Sequence, residues 1–210
     1  MATTWIMINF ILAIAVGYVC GDTIQILSGR RMDSNAFIRS EKIYKKFQTP
    51  TSFLINGASN IYGKVTGFTT AFHHTVPLLY KITFDAICTN PKGTIWVFPR
   101  IMVNNQLFYN DRFIPNTDDR YTLIPGYTEV HSFDHIGAGQ YAFLSGIATT
   151  IRKSELIYLQ PGLHVIDVAV RATGNMPVQI YFGVLTIELV EFNDAASIGG
   201  MVPMNVTSIN

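Results

Sequence analysis

The chain has 210 residues, of which 49% are apolar and 14% are charged, and its formal net charge is +1. This composition excludes a disordered chain, because disordered chains combine few apolar residues with a high net charge. The small net charge gives the whole chain no electrostatic attraction for nucleic acid, so we expect no nucleic-acid partner. The length predicts one domain with an appendage.

The first element is an uncharged stretch over residues 1–21, and its centre is almost entirely apolar. As a helix, residues 2–21 would be about 30 Å long, which matches the hydrocarbon core of a bilayer. The sequence therefore predicts a transmembrane anchor over residues 1–21. Lipid would contact four apolar side chains of this anchor, which are Trp5, Phe10, Leu12 and Val16.

The orientation of this anchor follows from the basic residues, which all come after it. They are Arg30, Arg31, Arg39, Lys42, Lys45 and Lys46. Because lysine and arginine near a span tend to stay in the cytoplasm, this asymmetry predicts that the following domain lies on the cytosolic face of the membrane. Two alternatives remain open: a signal peptide that is cleaved, which leaves a secreted domain, and a helix buried in the core.

Residues 22–50 are polar and mixed in charge, and they are interpreted as a basic stalk. Within them, residues 40–47 have the pattern of a short amphipathic helix that Pro50 would end. The basic side chains of this stalk would be solvated or would contact anionic headgroups.

From residue 51 the pattern changes to short β-branched or aromatic runs separated by turn residues, which predicts a β-domain over 51–194 and a flexible tail over 195–210. The predicted strands are 52–55, 64–72, 78–88, 94–103, 107–109, 121–124, 128–133, 140–149, 154–158, 163–172 and 178–192. So many short strands favour an all-β jelly-roll sandwich, with an up-and-down barrel as the alternative.

The last predicted strand, 178–192, is apolar on both faces through its middle. One face would pack on the opposing sheet, and the other would then meet a neighbouring subunit. The candidate residues of this oligomer interface are Tyr181, Leu185, Ile187 and Leu189.

The run Leu159-Gln-Pro-Gly-Leu-His164, followed by an alternating strand, a turn and the strand 178–192, resembles the closing half of C1q and tumour-necrosis-factor jelly rolls. That resemblance implies the fold and a trimer. The architecture as a whole is similar to that of the jelly-roll minor capsid proteins of large membrane-containing DNA viruses, which link an internal membrane to the protein shell of the virion.

Several polar residues are candidates for binding a metal ion. Glu129, His131, Asp134 and His135 lie within seven residues, and Glu129 and His131 would share a strand face on which a metal could bind. The polar loop 110–120 could hold a cation through Asp111, Asp118 and Asp119, but its spacing does not meet the calcium pattern. We therefore predict no catalytic, cofactor-binding or metal-binding residues.

These observations favour a non-enzymatic structural protein, tethered to a membrane and assembling into oligomers, with the virion as its location if it is viral. Its partners would be the membrane, further copies in a trimer and other structural proteins, with no small-molecule substrate. One alternative is a secreted or surface ligand similar to the C1q and tumour-necrosis-factor group. The other is a metal-dependent barrel enzyme.

Overall fold

The computed structural model describes residues 38–55, 59–90, 93–136, 141–143, 146–174, 177–192 and 201–206. By compactness the chain divides into two units, and the unit formed by Ile38–Asn193 and Pro203–Asn210 contains all the strands named below. The predicted anchor, with Trp5, Phe10, Leu12 and Val16, lies outside the described residues. Within the described ranges, no helix has the length and apolarity that crossing a membrane requires.

The described strands are β1 (Ile38–Phe47), β2 (Ser52–Ile55), β3 (Gly63–Lys64), β4 (Thr70–His74), β5 (Leu78–Asn90), β6 (Ile95–Val103), β7 (Gln106–Tyr109), β8 (Arg112–Pro115), β9 (Tyr141–Phe143), β10 (Ile147–Leu159), β11 (Gly162–Ala172) and β12 (Val178–Phe192). A 3₁₀ turn covers Arg120–Leu123, and a short α-helix, α1, covers Val130–Asp134.

These strands form a jelly roll. Sheet A has the order β1-β12-β5-β10, with β2 also paired to β12, and sheet B contains the path β4-β11-β6-β9 together with β3, β7 and β8. The pairs are antiparallel, and the strand sequence passes between the sheets in the double Greek-key order of a jelly roll. The predicted all-β jelly-roll sandwich is confirmed, and the up-and-down barrel is wrong.

The core lies between the two sheets because alternate side chains of each strand point inward. On β5 the inward residues include Ile82 and Phe84, and on β11 they include Val168 and Val170, all of them fully buried. Residues 203–206, predicted to belong to a flexible tail, add to this unit. The amide of Met204 donates to the carbonyl of Tyr158 (2.8 Å), and Met204 forms an isolated bridge with Leu159.

Residues 40–47 form no helix, and the sheet begins inside the segment predicted to be a stalk. Strand β1 pairs antiparallel with β12 along its length, although most of its side chains are exposed. The free edge of the long strand β12 gives this segment backbone partners, and that pairing overrides a weak helical pattern. Tyr44 on β1 also packs edge-on against Phe72.

The segment between β6 and β9 covers the outer face of sheet B. It contains the β7–β8 hairpin, the 3₁₀ turn and α1, and it buries a second apolar cluster that includes Phe98, Leu107 and Phe133. The predicted strands 121–124 and 128–133 are therefore wrong: they form the 3₁₀ turn and α1. Short apolar runs do not distinguish a strand from a buried helical turn by pattern, and here the packing against sheet B decides.

Candidate assembly surface

Three of the predicted interface residues lie inside the molecule. Leu185, Ile187 and Leu189 on β12 are 1%, 2% and 7% exposed and belong to the core between the sheets. The prediction that they contact a neighbouring subunit is therefore wrong. Both faces of this strand are apolar in sequence, so the pattern could not tell which face would turn inward; the opposing sheet settles it.

A β-bulge interrupts β12 between Tyr181 and Val184, where the register with β5 shifts. Phe182 has a positive φ of 49°, which is uncommon for a residue with a side chain. The bulge is fixed from inside by Gln48, whose amide donates to the carbonyl of Ile180 (3.2 Å) and whose Oε1 accepts from the amide of Gly183 (2.9 Å). As is usual for bulges, it re-aims a side chain, here that of Phe182.

The residue after Phe182 must be small. A Cβ atom at Gly183 would lie 2.7 Å from the ring of Phe68 and 3.1 Å from Oε1 of Gln48. Because Phe68 is fully buried, its ring has little room to move away. Gly183 therefore allows the bulge to sit directly on the core.

An apolar surface surrounds the bulge on the outer face of sheet A. We call it the bulge patch and define it by Phe47, Leu54, Ile87, Tyr181 and Phe182. Phe47 and Phe182 are 66% and 65% exposed, Leu54 and Ile87 are also exposed, and Tyr181 is half-buried. The rings of Tyr181 and Phe182 stack with their centroids 6.1 Å apart.

The strand register brings this patch together. Tyr181 lies opposite Ser52 on one side and Ile87 on the other. Leu54 lies opposite Gln179, whose Oε1 accepts a hydrogen bond from the Tyr181 hydroxyl. A depression of about 320 Å³ adjoins the patch and is lined in part by Leu54, Ile147 and Tyr181. Of the predicted interface residues, Tyr181 alone belongs to this surface.

The rest of this outer face carries paired charges. The ammonium group of Lys81 lies 3.1 Å from Glu188 and 3.9 Å from Glu41, and Arg152 lies 3.6 Å from Asp85. An apolar centre beside a polar, charged surround is the usual anatomy of a protein–protein interface.

The outer face of sheet B is built differently, around one buried carboxylate. Asp134 accepts from Arg120 (Nη2, 2.5 Å), from Arg171 (Nε, 2.5 Å) and from the hydroxyl of Tyr109 (2.6 Å). Arg100 donates to the carbonyls of Asp134 (2.5 Å) and Ile136 (2.7 Å). All three arginines and Asp134 are buried, so this network fastens the covering segment to the sheet.

The tyrosines of this network stay protonated. Burial raises the pKa of Tyr109, and the nearby Asp134 carboxylate raises it further. Burial likewise raises the pKa of Tyr62 well above its ordinary value. Each buried guanidinium also lies over an aromatic ring: Arg100 over Tyr109, Arg120 over Tyr62 and Arg171 over Phe98. The phenols therefore serve as neutral hydrogen-bonding and cation–π partners.

The residues considered for metal binding do not form one site. Asp134 is taken by the arginines, and Glu129 precedes α1, so it does not share a strand face with His131. The ring centroids of His131 and His135 lie 4.9 Å apart, and burial lowers the pKa of His135. Asp118, Asp119 and Glu129 line an open depression with His131. Within the described residues, no three histidine, cysteine, aspartate or glutamate side chains are placed to hold one ion.

No protein-family model and no curated protein sequence matches the chain. Solved structures that are similar include that of infectious bursal disease virus, Gx strain, with a TM-score of 0.44, 10% identity, and coverage of 72% of this chain and 32% of that one. The chain thus spans about a third of that protein's length. Eiger TNF from S. frugiperda has a TM-score of 0.33, 12% identity, and coverage of 74% and 98%.

The globular domain of zebrafish complement 1qA protein is a further neighbour, with a TM-score of 0.32, 10% identity, and coverage of 71% of this chain and 96% of that one. Tumour-necrosis-factor and complement 1q proteins are therefore among the neighbours, as the sequence resemblance predicted. The likeness is remote, and no function follows from it.

Sequence reasoning missed most of the bulge patch. Phe47 lies in the segment predicted to be a stalk, and Leu54, Ile87 and Phe182 lie within predicted strands whose pattern gives no sign of exposure. One local signal was available: Gly183 interrupts an otherwise continuous strand pattern, and a glycine inside a strand pattern often marks a bulge.

Proposed function

We propose that this chain is a non-enzymatic structural protein: a jelly roll tethered to a membrane through residues 1–21 that assembles with further copies of itself through the bulge patch. The observation that carries the proposal is the exposed pair Phe47 and Phe182, which lie on the outer face of sheet A beside the bulge. Large aromatic side chains are enriched in interface cores, where burying them stabilises association.

The charges of this face favour a second copy as the partner. Outward positions of sheet A carry three basic residues, Lys45, Lys81 and Arg152, and three acidic residues, Glu41, Asp85 and Glu188. A face with equal numbers of both signs has no net charge to repel another copy of the chain, so its charges do not oppose self-association. The resemblance to C1q and tumour-necrosis-factor proteins makes a trimer the expected oligomer.

The tether is proposed from sequence. The uncharged stretch 1–21 is long enough to span a bilayer, and the basic residues that follow it favour a cytosolic domain. A structural protein in this position would connect a membrane to a protein layer, and in a virus that layer would be the capsid.

Mass photometry of the full chain in detergent tests the assembly. We expect the wild type to form an oligomer and the double variant Phe47→Ser, Phe182→Ser to be monomeric. The matched control is Leu163→Ser, which removes an apolar side chain of similar exposure (60%) from sheet B and should leave the oligomer intact. A monomeric wild type at high concentration, or a double variant as oligomeric as the wild type, would contradict the proposal.

Protease protection in sealed membranes tests the tether. With the domain on the cytosolic face, protease added to that face should degrade it, and protease added to the opposite face should not. An intact mass showing that the first twenty or so residues have been removed would contradict the tether and favour the secreted ligand.

A further inference from the structure

Three polar rings meet at one end of the core, where a jelly roll would ordinarily be filled by apolar side chains. His74 lies on β4, His164 on the neighbouring strand β11, and Tyr80 on β5 of the opposing sheet. The ring centroids are 5.0 Å apart for the two histidines, 5.7 Å for His74 and Tyr80, and 6.3 Å for His164 and Tyr80. The three residues are 8%, 5% and 0% exposed for His74, His164 and Tyr80.

The backbone fixes the tautomer of each histidine. Nδ1 of His74 lies 2.6 Å from the carbonyl oxygen of Val76, and Nε2 of His164 lies 2.8 Å from the carbonyl oxygen of Gln160. A carbonyl oxygen only accepts, so each of these nitrogens carries the hydrogen. Nε2 of His74 and Nδ1 of His164 are consequently bare lone-pair nitrogens when the rings are neutral.

These two nitrogens and the Tyr80 hydroxyl are buried, and each lacks a hydrogen-bond partner in the part of the chain that the structure describes. Burial, together with the nearby His164 and His73, lowers the pKa of His74 against the opposing effect of its bond to Val76. At neutral pH His74 thus offers a lone pair at Nε2. Buried polar atoms without partners are rare in folded proteins and often mark the place of a water or an ion.

The arrangement matches that of histidines that bind metal ions. Such histidines usually donate the second ring N–H to a carbonyl or carboxylate, which orients the ring, and both rings do so here. Two imidazoles bound to one tetrahedral ion through bonds of about 2.0–2.1 Å have centroids roughly 5 Å apart, as these two rings have. Tyr80, on the opposing sheet, places its ring near both histidines, and burial raises the pKa of its hydroxyl, which therefore stays protonated.

A pocket of about 210 Å³ adjoins His74, although His164 and Tyr80 are not among the residues that line it. Its lining includes His73, Lys42 and Glu191. One charge of each sign in this lining leaves no net repulsion toward a cation.

We propose that His74 and His164 bind one divalent transition-metal ion of the nitrogen-preferring class, such as Zn²⁺, at a position beside the Tyr80 ring. The ion would link β4 to β11 within sheet B. This site is independent of the bulge patch and of the proposed assembly.

The proposal is tested by isothermal titration calorimetry, in which Zn²⁺ is added to the tag-free, metal-free full chain in detergent. We expect one saturable site per chain, and His74→Gln or His164→Gln should weaken its affinity by on the order of tenfold or more. Substituting Co²⁺ should give the visible absorption bands of a tetrahedral ion with nitrogen ligands. The matched control is His73→Gln, which removes the exposed neighbour of His74 and should keep both signals.

If a glutamine variant fails to fold, Tyr80→Phe is the second test, because it keeps the ring and removes the oxygen; weaker Zn²⁺ binding or a changed Co²⁺ spectrum supports the site. Three results would overturn the proposal: no saturable binding by the wild type, which leaves an enclosed water as the occupant; loss of binding in His73→Gln alone; and unchanged binding in folded His74→Gln and His164→Gln.

Discussion

The outer faces of the two sheets differ in whether the chain itself covers their charged and apolar side chains. Sheet B has Arg100 and Arg171 on its outer face, and the chain folds its own segment 104–136 over them. The carboxylate of Asp134 pairs with Arg120 and Arg171, and the backbone carbonyl of Asp134 accepts from Arg100. Sheet A has exposed ion pairs and the bulge patch on its outer face, and no described segment covers them. Buried charges need partners from the same chain, so sheet B requires an internal cover. Solvated charges need no such cover, so the outer face of sheet A can stay open to another molecule.

The largest loss of stability is expected for Asp134→Asn, which tests this contrast directly. The change keeps the shape of the side chain and removes the one negative charge among three buried guanidinium groups, and breaking a buried pair in this way costs about 3–5 kcal/mol. We expect the urea midpoint to fall accordingly. Asp118→Asn, on the exposed surface of the same segment, is the control and should change stability little. A stability loss below about 1 kcal/mol for Asp134→Asn would mean that the network does not hold the cover.

The bulge under the open face is tested by Gly183→Ala. The added methyl group would overlap the buried ring of Phe68, so we expect a destabilisation of about 1–3 kcal/mol, measured by urea unfolding. The control is Gly63→Ala, where a Cβ would lie 3.8 Å from its nearest neighbours and cause no overlap. Equal stabilities of the two variants would show that Gly183 is not required for the bulge.

A smaller effect is expected from pH at the end of the core. Burial lowers the pKa of His74 from the 6.5 of an unfolded histidine. As the pH falls below 6.5 the unfolded chain takes up a proton first, so stability is complete above that pH and decreases toward the folded pKa. Urea midpoints measured from pH 8 to pH 5 in the presence of a chelator should show this decrease, and His74→Gln should flatten it. A decrease that is identical in both proteins would assign it to other groups, His135 among them.

The smallest effect is expected for the exposed pair Asp85–Arg152 on sheet A. Both side chains are largely solvated, so Asp85→Asn should change the free energy of unfolding by less than about 1 kcal/mol in the monomeric Phe47→Ser, Phe182→Ser background. The difference from Asp134→Asn measures how much burial changes the worth of a charge pair. A loss as large as that of Asp134→Asn would remove the distinction between the two faces.

The sequence determined much of the strand content, because alternating side chains and turn residues act locally, and it favoured a jelly roll without giving the order of its strands. The strands 52–55, 107–109, 163–172 and 178–192 were predicted within a residue of β2, β7, β11 and β12. The predicted strands 121–124 and 128–133 failed because their structure depends on packing against sheet B, which lies far away in sequence.

The tertiary structure alone decided what faces inward. It placed Leu185, Ile187 and Leu189 in the core, brought Phe47 beside the bulge, collected three arginines around Asp134, and set His74 against His164. Each of these pairings joins residues from distant parts of the chain. A local pattern can say that a residue is apolar or charged, but only the opposing sheet and the neighbouring strands determine whether it meets solvent, a core or another charge.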